Sequence, residues 1–304
     1  MSPAAVQPTE GSRVAPDVAA SVSPKPGGFG VPLGLGYLTV AGAHPVEQIE
    51  AAAAAGFSNV GLRLMAPLGL GLAHDIVADE ALRREILRAQ ARTGVTVLDV
   101  DVLTLAAGTD MVAMLRAVET AAEIRASIVQ VVVEDPEISR SLYRFVQLCE
   151  RAAPLGLTVS LEFMKWRSLP TLQRASAFVL AADCPNANLC LDCLHLSRCG
   201  NSPHDVAALP PGLIGYVQLC DAPAAIPPDD AIVQEARGGR MYPGDGELWL
   251  HPLLDLLPDG TALSLEVPRQ QDAGRSTRDR AQLAAQAMRR FLGDRAGRGS
   301  YVGG

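Results

Sequence analysis

The sequence predicts a (β/α)8 barrel, and three observations lead there. From Val31 onward, strand-like and helix-like runs alternate, which is the pattern of a parallel sheet with crossover helices. Eight such units fill about 260 residues, the count and size of a closed barrel. No Gly-x-Gly-x-x-Gly follows the first strand, so the runner-up, a doubly wound nucleotide-binding sheet, lacks its phosphate loop.

Residues 1–30 are rich in Pro, Ser, Ala and Gly without apolar periodicity and are expected to form a flexible tail. The barrel domain spans 31–293, and a Gly/Arg-rich tail takes 294–304. The first strand covers 33–40. An Ala-rich helix follows over 45–55, with Gly56 as its C-cap. Strand 59–64 precedes a helix over 79–93 that Gly94 closes. Strand 95–103 leads to helix 110–125, and strand 128–133 to helix 136–153, with Pro136 in an early helical position. The second half repeats the scheme: strands 157–163, 187–192, 215–219 and 262–267, with helices over 169–182, 202–209, 248–257 and 276–291. Between Cys220 and Gly246 lies a long Pro/Gly-rich loop, and loops of that length are usually lids or binding loops.

The last four strands carry the chemistry. Side chains alternate along a strand, so Ser160 and Glu162 share one face while Val159, Leu161 and Phe163 share the other. The same split recurs in Cys190/Asp192, Tyr216/Gln218 and Ser264/Glu266. Active sites of such barrels sit at the C-terminal strand ends, where Glu162, Asp192, Gln218 and Glu266 fall. One Glu ending a strand is most often a solvated loop group; four oxygen ligands on consecutive strands with the same facing are hard to obtain by chance. Three carboxylates meeting at one point repel unless a cation is present. A hard divalent ion, Mn²⁺ or Mg²⁺ with Co²⁺ as a further choice, meets that need better than zinc.

Composition excludes several classes. A net charge of -7 with 4% aromatic residues disfavours phosphate backbones and stacked bases, so nucleic acid is not an expected partner. No run approaches the roughly twenty apolar residues of a membrane span. The first thirty residues lack a basic head and apolar core, so the six cysteines are expected to be reduced thiols of a cytoplasmic protein. Cys190 and Cys193 form a C-x-x-C, but an offset of three on a strand places them on opposite faces, which argues against a zinc knuckle.

The pattern resembles the sugar phosphate isomerase/epimerase superfamily with its xylose-isomerase-like TIM barrel. The matching residues are Leu161-Glu162-Phe163, Leu191-Asp192-Cys-Leu-His195, Val217-Gln218-Leu-Cys-Asp221, Arg240-Met-Tyr-Pro243-Gly244-Asp-Gly246 and Ser264-Leu-Glu266-Val-Pro268. The resemblance implies a metal held by Glu162, Asp192, Gln218 and Glu266, with His195 facing the substrate. It also implies a small-molecule substrate and a possible homo-oligomer. One departure is Gln218, where many members of the superfamily place His; dehydroshikimate-dehydratase-like members resemble this chain in using Gln.

Three carboxylates and a divalent ion suit proton abstraction next to a carbonyl, with Glu162 and Glu266 as base and acid on different sides of the ligand. Proton return at a neighbouring carbon gives isomerisation, return from the opposite face gives epimerisation, and loss of a β-hydroxyl gives dehydration. The leading expectation is a metal-dependent isomerase or epimerase on a small polyhydroxy carbonyl compound. A dehydratase or other lyase on a cyclic hydroxy-ketone acid is the alternative, favoured by Gln218 and the arginines. A non-catalytic ligand-binding barrel is a third option. A barrel endonuclease on abasic DNA is disfavoured by the scattered histidines and the acidic charge. Arg63, Arg240, Lys165 and Trp166 are candidate substrate-binding residues, and Tyr242 a candidate apolar wall. Each has a bland counterpart: a salt bridge at the barrel mouth for Arg63, a surface charge for Arg240 or Lys165. His44, His74, His204 and His251 are expected at loops or helix ends, with nothing grouping them.

Overall fold

Strands β1 to β8 hydrogen-bond in chain order and close on themselves, every neighbouring pair parallel. They are Leu33–Leu35, Asn59–Arg63, Thr96–Leu105, Ile128–Val133, Thr158–Glu162, Ala187–Asp192, Ile214–Leu219 and Ala262–Leu265. The computed structural model describes residues 29, 31–67 and 69–299. The 1–30 tail lies outside these apart from Phe29, as do residues 300–304 of the C-terminal tail.

The outward strand faces, including Val129, Val131, Val159, Leu161, Leu189, Leu191, Val217 and Leu265, form one core with the surrounding helices. Burying each such side chain is worth about 1.5–3 kcal/mol. Leu98, Ile128, Cys190 and Tyr216 form a separate cluster. By the strand alternation, Cys190 and Tyr216 lie on the inward side with Asp192 and Gln218, so this plug is the floor on which the polar site rests.

Ten α-helices are described: α1 Pro45–Ala55, α2 Glu80–Thr93, α3 Met111–Glu123, α4 Ile138–Ala152, α5 Leu172–Ala182, α6 Cys193–Arg198, α7 Pro203–Ala207, α8 Asp229–Gly238, α9 Leu250–Leu256 and α10 Thr277–Gly299. Most start where a side chain caps the free amides: Asp79 accepts from Leu82 N, Asp110 from Val112 N, and Thr171 from Arg174 N. Gly56 and Gly94 close α1 and α2 in the left-handed conformation, as the sequence predicts. None of the described helices is long and apolar enough to cross a membrane.

Several expectations change. The first strand stops at Leu35 and the chain curls into a 3-10 turn over Tyr37–Val40, because Thr39 donates its hydroxyl to Leu265 O and accepts from Val267 N. Pro136 precedes the helix, whose N-cap is Glu137. The last helix continues through Gly299, so 294–299 are helical rather than tail. Cys193 opens helix α6 instead of following Cys190 along a strand, and all six cysteines are free. His44 and His74 touch edge to face at 4.8 Å, so that pair is grouped after all.

The long loop after β7 is also more ordered than its composition suggests, since it contains α8. Arg198 on α6 grips Glu235 on α8 with two bonds, Nε to Oε2 at 2.7 Å and Nη2 to Oε1 at 2.6 Å. The end of the loop is drawn in by Asp221, whose carboxylate accepts the amides of Gly244, Gly246 and Leu248. A Cβ at Gly246 would lie 2.5 Å from Asp221 Oδ1, so that approach requires glycine. Gly36, just after β1, works likewise on the other flank of β8, where a Cβ would meet Leu265 O at 2.9 Å and Glu266 Cβ at 3.0 Å. These contacts fix the chain on either side of the strand ends.

Candidate active site

The register of β5 to β8 carries the four expected ligands to one end of the barrel. Asp192 stands level with Gln218, Glu162 closes β5, and Glu266 follows β8 by one residue. None is more than 4% exposed. Glu162, Asp192 and His195 each offer a ligand atom, all within 4.8 Å of one another, which makes this trio a possible metal site. Gln218 belongs to the same interior: its Oε1 accepts from Cys190 Sγ at 3.4 Å, and its Nε2 has no hydrogen-bond partner among the described residues. Glu266 stands outside the tight trio but lines the same cavity as Glu162 and His195.

Asp192 organises this corner. Its Oδ1 accepts the amides of Leu194 and His195 at 2.8 and 3.1 Å, capping α6, and this cap places His195. His195 therefore sits in a short helix, not at the start of a loop. Its Nε2 lies 3.4 Å from Glu162 Oε1, and the Trp166 ring meets the imidazole edge-on at 5.2 Å. The other Glu162 oxygen accepts from Gln130 Nε2 at 2.6 Å. Gln130 went unnoticed in the sequence, yet a glutamine on the inward side of the valine-rich run IVQVVV was a usable signal.

The charge distribution fits a hard divalent cation. Burial, reinforced by Asp192 and Glu266, holds the Glu162 carboxyl well above the usual range. Burial also pushes Glu266 up to about 7, with Asp101 and Asp192 adding to it against the pull of Arg240. Burial would raise Asp192 too, but Arg240 and His195 outweigh it and hold that carboxyl low. One guanidinium, Arg240, is thus set among three buried carboxyls, and ionising Glu162 and Glu266 beside Asp192 leaves two negative charges over. A divalent ion with oxygen ligands cancels them, and a carboxylate oxygen already accepting one hydrogen bond keeps a second lone pair for it. Burial lowers the His195 imidazole to about 4, so it is uncharged near neutrality.

A cavity of about 250 Å³ opens over this corner, and Arg63, Asp101, Gln130, Val132, Glu162, Trp166, His195 and Glu266 are among its lining residues. Arg63 and Trp166, two of the candidate substrate-binding residues, both line it. Arg63 is doubly bonded to Asp101, Nε to Oδ1 at 3.1 Å and Nη2 to Oδ2 at 2.5 Å. Arg240 lines the cavity from a different position than expected: it is 4% exposed and donates Nη1 to Asp192 Oδ2 at 2.5 Å and to Glu266 O at 3.1 Å. Its head group is thus bonded to Asp192 and buried, where the alternative in the sequence was a surface charge. Lys165 does not line the cavity; its Nζ pairs with Asp229 on α8 at 2.7 Å. Tyr242 is no cavity wall either, since it is buried against Asp272 and Arg269. Arg167 and Arg237 do line the cavity, and the sequence drew no attention to them.

A family model described as xylose isomerase-like TIM barrel matches residues 49–293. A 3-dehydroshikimate dehydratase of Pseudomonas aeruginosa is 36% identical over 101 residues, covering 33% of this chain and 16% of that protein. A 3-dehydroshikimate dehydratase of Pseudomonas putida is 31% identical over 150 residues, covering 48% of this chain and 22% of that protein. The chain therefore matches less than a quarter of the length of either relative. Among solved structures, an IOLI protein with a bound zinc atom superimposes with a TM-score of 0.71 at 17% identity, over 87% of this chain and 99% of the other.

Proposed function

Since the chain belongs to the xylose isomerase-like TIM barrel family, we propose that it is a metal-dependent lyase that removes water from a cyclic hydroxy-keto acid of the 3-dehydroshikimate type. The observation that carries this is a single cavity with carboxylates and a neutral imidazole at its floor and Arg63, Arg167, Arg237 and Arg240 in its wall. A cation site for a ketone or hydroxyl oxygen is thereby joined to surroundings that favour an anion. The names of the two curated relatives point the same way, as does a neutral amide, Gln218, among the ligands.

In this proposal Glu162, Asp192, Gln218 and Glu266 hold Mn²⁺ or Mg²⁺, with Co²⁺ a further choice and His195 at the edge of the set. A bound ion of this kind supplies Lewis acidity towards a substrate oxygen. The chain's own groups do the rest. Glu162 at the end of β5 and Glu266 just after β8 line the cavity together with His195, which α6 sets against the Trp166 ring. One of these groups takes the proton from the carbon beside the ketone. The electron pair forms a carbon–carbon double bond and the β-hydroxyl leaves; a proton from a second group makes it water. From 3-dehydroshikimate, loss of one water and tautomerisation give 3,4-dihydroxybenzoate. Trp166, Met164 and Val132 supply apolar wall for the ring.

A second reading, isomerase or epimerase, is favoured by one specific feature. Two carboxylates, at the end of β5 and just after β8, can address a substrate carbon from different sides, which proton return to the opposite face requires. Incubating the metal-loaded protein with 3-dehydroshikimate and with a panel of keto-sugars separates the two. The lyase proposal expects 3,4-dihydroxybenzoate and untouched sugars; sugar interconversion without loss of water overturns it.

A further inference from the structure

We propose that Arg237, assisted by Arg167, forms a carboxylate-binding subsite at the solvent end of the cavity and sets specificity for an acidic substrate. The inference rests on the dehydratase reading for the identity of the acid, but not for its charge.

The four cavity arginines differ in what they already hold. Arg63 is engaged twice by Asp101, and Arg240 by Asp192 and the carbonyls of Ala236 and Glu266. Arg167 touches Glu134 through Nη1, and its buried Nε has no acceptor among the described residues. Arg237 makes no ion pair among the described residues. The reason lies in its surroundings: the carboxylate two residues away, Glu235, is held at both oxygens by Arg198, and Asp229 at the other end of α8 is taken by Lys165. The helix thus presents one uncommitted guanidinium towards the cavity from its last turn.

Arg237 complements the helix C-terminus, and that alone is a sufficient reason for a surface arginine. Two facts go beyond it. First, Arg237 lines the cavity close enough to Arg167 that its positive charge, after burial, holds the Arg167 guanidinium below its ordinary value. Two cations kept together at a cavity wall repel, and an anion bridging them removes the penalty. Second, the charges around the cavity do not balance. Its lining sets four arginines against the carboxyls of Asp101, Glu162 and Glu266, so that with all three ionised one positive charge is in excess. A monocarboxylate cancels it.

Position agrees with charge. Glu162, Asp192 and His195 lie at the buried floor, whereas Arg237 is exposed and Arg167 keeps 15% of its side chain open. In 3-dehydroshikimate the carboxylate is attached across the six-membered ring from the carbon that loses its proton. A ring reacting at the floor therefore directs its acid group towards the mouth. Both arginines carry planar forked donors suited to a carboxylate.

The test measures binding, not turnover. The Mn²⁺-loaded full chain is titrated calorimetrically with 3,4-dihydroxybenzoate and with catechol, the same ring without the acid. Wild type should prefer the acid, and Arg237→Ala should weaken the acid by about tenfold while leaving catechol within about twofold. Arg237→Lys should recover part of the loss, since it keeps the charge without the fork. Equal weakening of both ligands, or no change in either, overturns the subsite. A variant melting with wild-type cooperativity shows that the helix is intact. If 3-dehydroshikimate is not turned over but Arg237→Ala still erases the preference for the acid, the dehydratase reading falls and the subsite stands. If turnover is present and Arg237→Ala binds the acid as tightly as wild type, the subsite falls alone.

Discussion

Arg240 donates Nη1 to Asp192 Oδ2 over 2.5 Å, with the two side chains only 2% and 0% exposed. A residue from the loop after α8 therefore supplies the one permanent positive charge inside the proposed ligand set. Removing a partner from a buried pair leaves a charge uncompensated, at a cost of about 3 kcal/mol. Arg240→Met should lower the melting temperature of the metal-free protein. Adding Mn²⁺ should then raise it by more than in wild type, because the ion provides part of the missing charge. Thermal melts with and without chelator check this, and a smaller Mn²⁺ response in the variant speaks against a cation beside Asp192.

The ligand roles separate by chemistry at Glu162, Glu266 and Gln218. Glu162→Gln and Glu266→Gln each remove a charge and a proton-transfer group, so turnover should fall by about 100-fold or more, with weaker metal retention. Gln218→His keeps a neutral ligand and should still hold the ion; Gln218→Leu should not. Metal titration of the four variants gives the order, and Gln218→Leu binding as well as Gln218→His removes residue 218 from the set.

Helix α8 is fastened to the barrel by Arg198 and Glu235, a bidentate pair in which Arg198 is fully covered. In Glu235→Gln the amides of α8 should exchange with deuterium faster than in wild type, while those of β5 and β6 stay protected. Unchanged exchange over 229–238 means that the pair does not hold the helix.

The Asp135 carboxyl is kept below its ordinary value by Arg140, with the Glu137 amide and Arg144 also favouring the charged form. The folded state therefore prefers ionised Asp135. That stabilisation is fully present above the ordinary carboxylate value and fades as pH falls through the lowered folded one. Asp135→Asn should melt below wild type at pH 7, with the gap closing as the solution is acidified. A gap independent of pH assigns the effect to lost packing instead.

The barrel and the ends of β5 to β8 were legible because strand alternation is local: the facing of Glu162 follows from Ser160 and Val159 alone. What stayed hidden depends on contacts between distant segments. Arg240 meets Asp192 across 48 residues, and no spacing rule announces such a pair. Helix α6 was legible in principle, since an Asp before Cys-Leu-His is a proper N-cap, but the strand pattern running into it masked the start. Helix α8 was masked by Pro227 and Pro228 on one side and Gly238 and Gly239 on the other, although Ile232 and Ala236 bury one face at helical spacing. Its Arg237 mattered only once the chain had folded over the cavity.

The most direct measurement is the metal content of the protein after dialysis against Mn²⁺ and removal of free ion, beside that of Asp192→Asn and Glu162→Gln. Wild type should retain about one divalent ion per chain, and each variant markedly less. A wild type that retains none, or variants that retain as much, contradicts a cation held by the ends of β5 to β8 and removes the basis for the proposed dehydration.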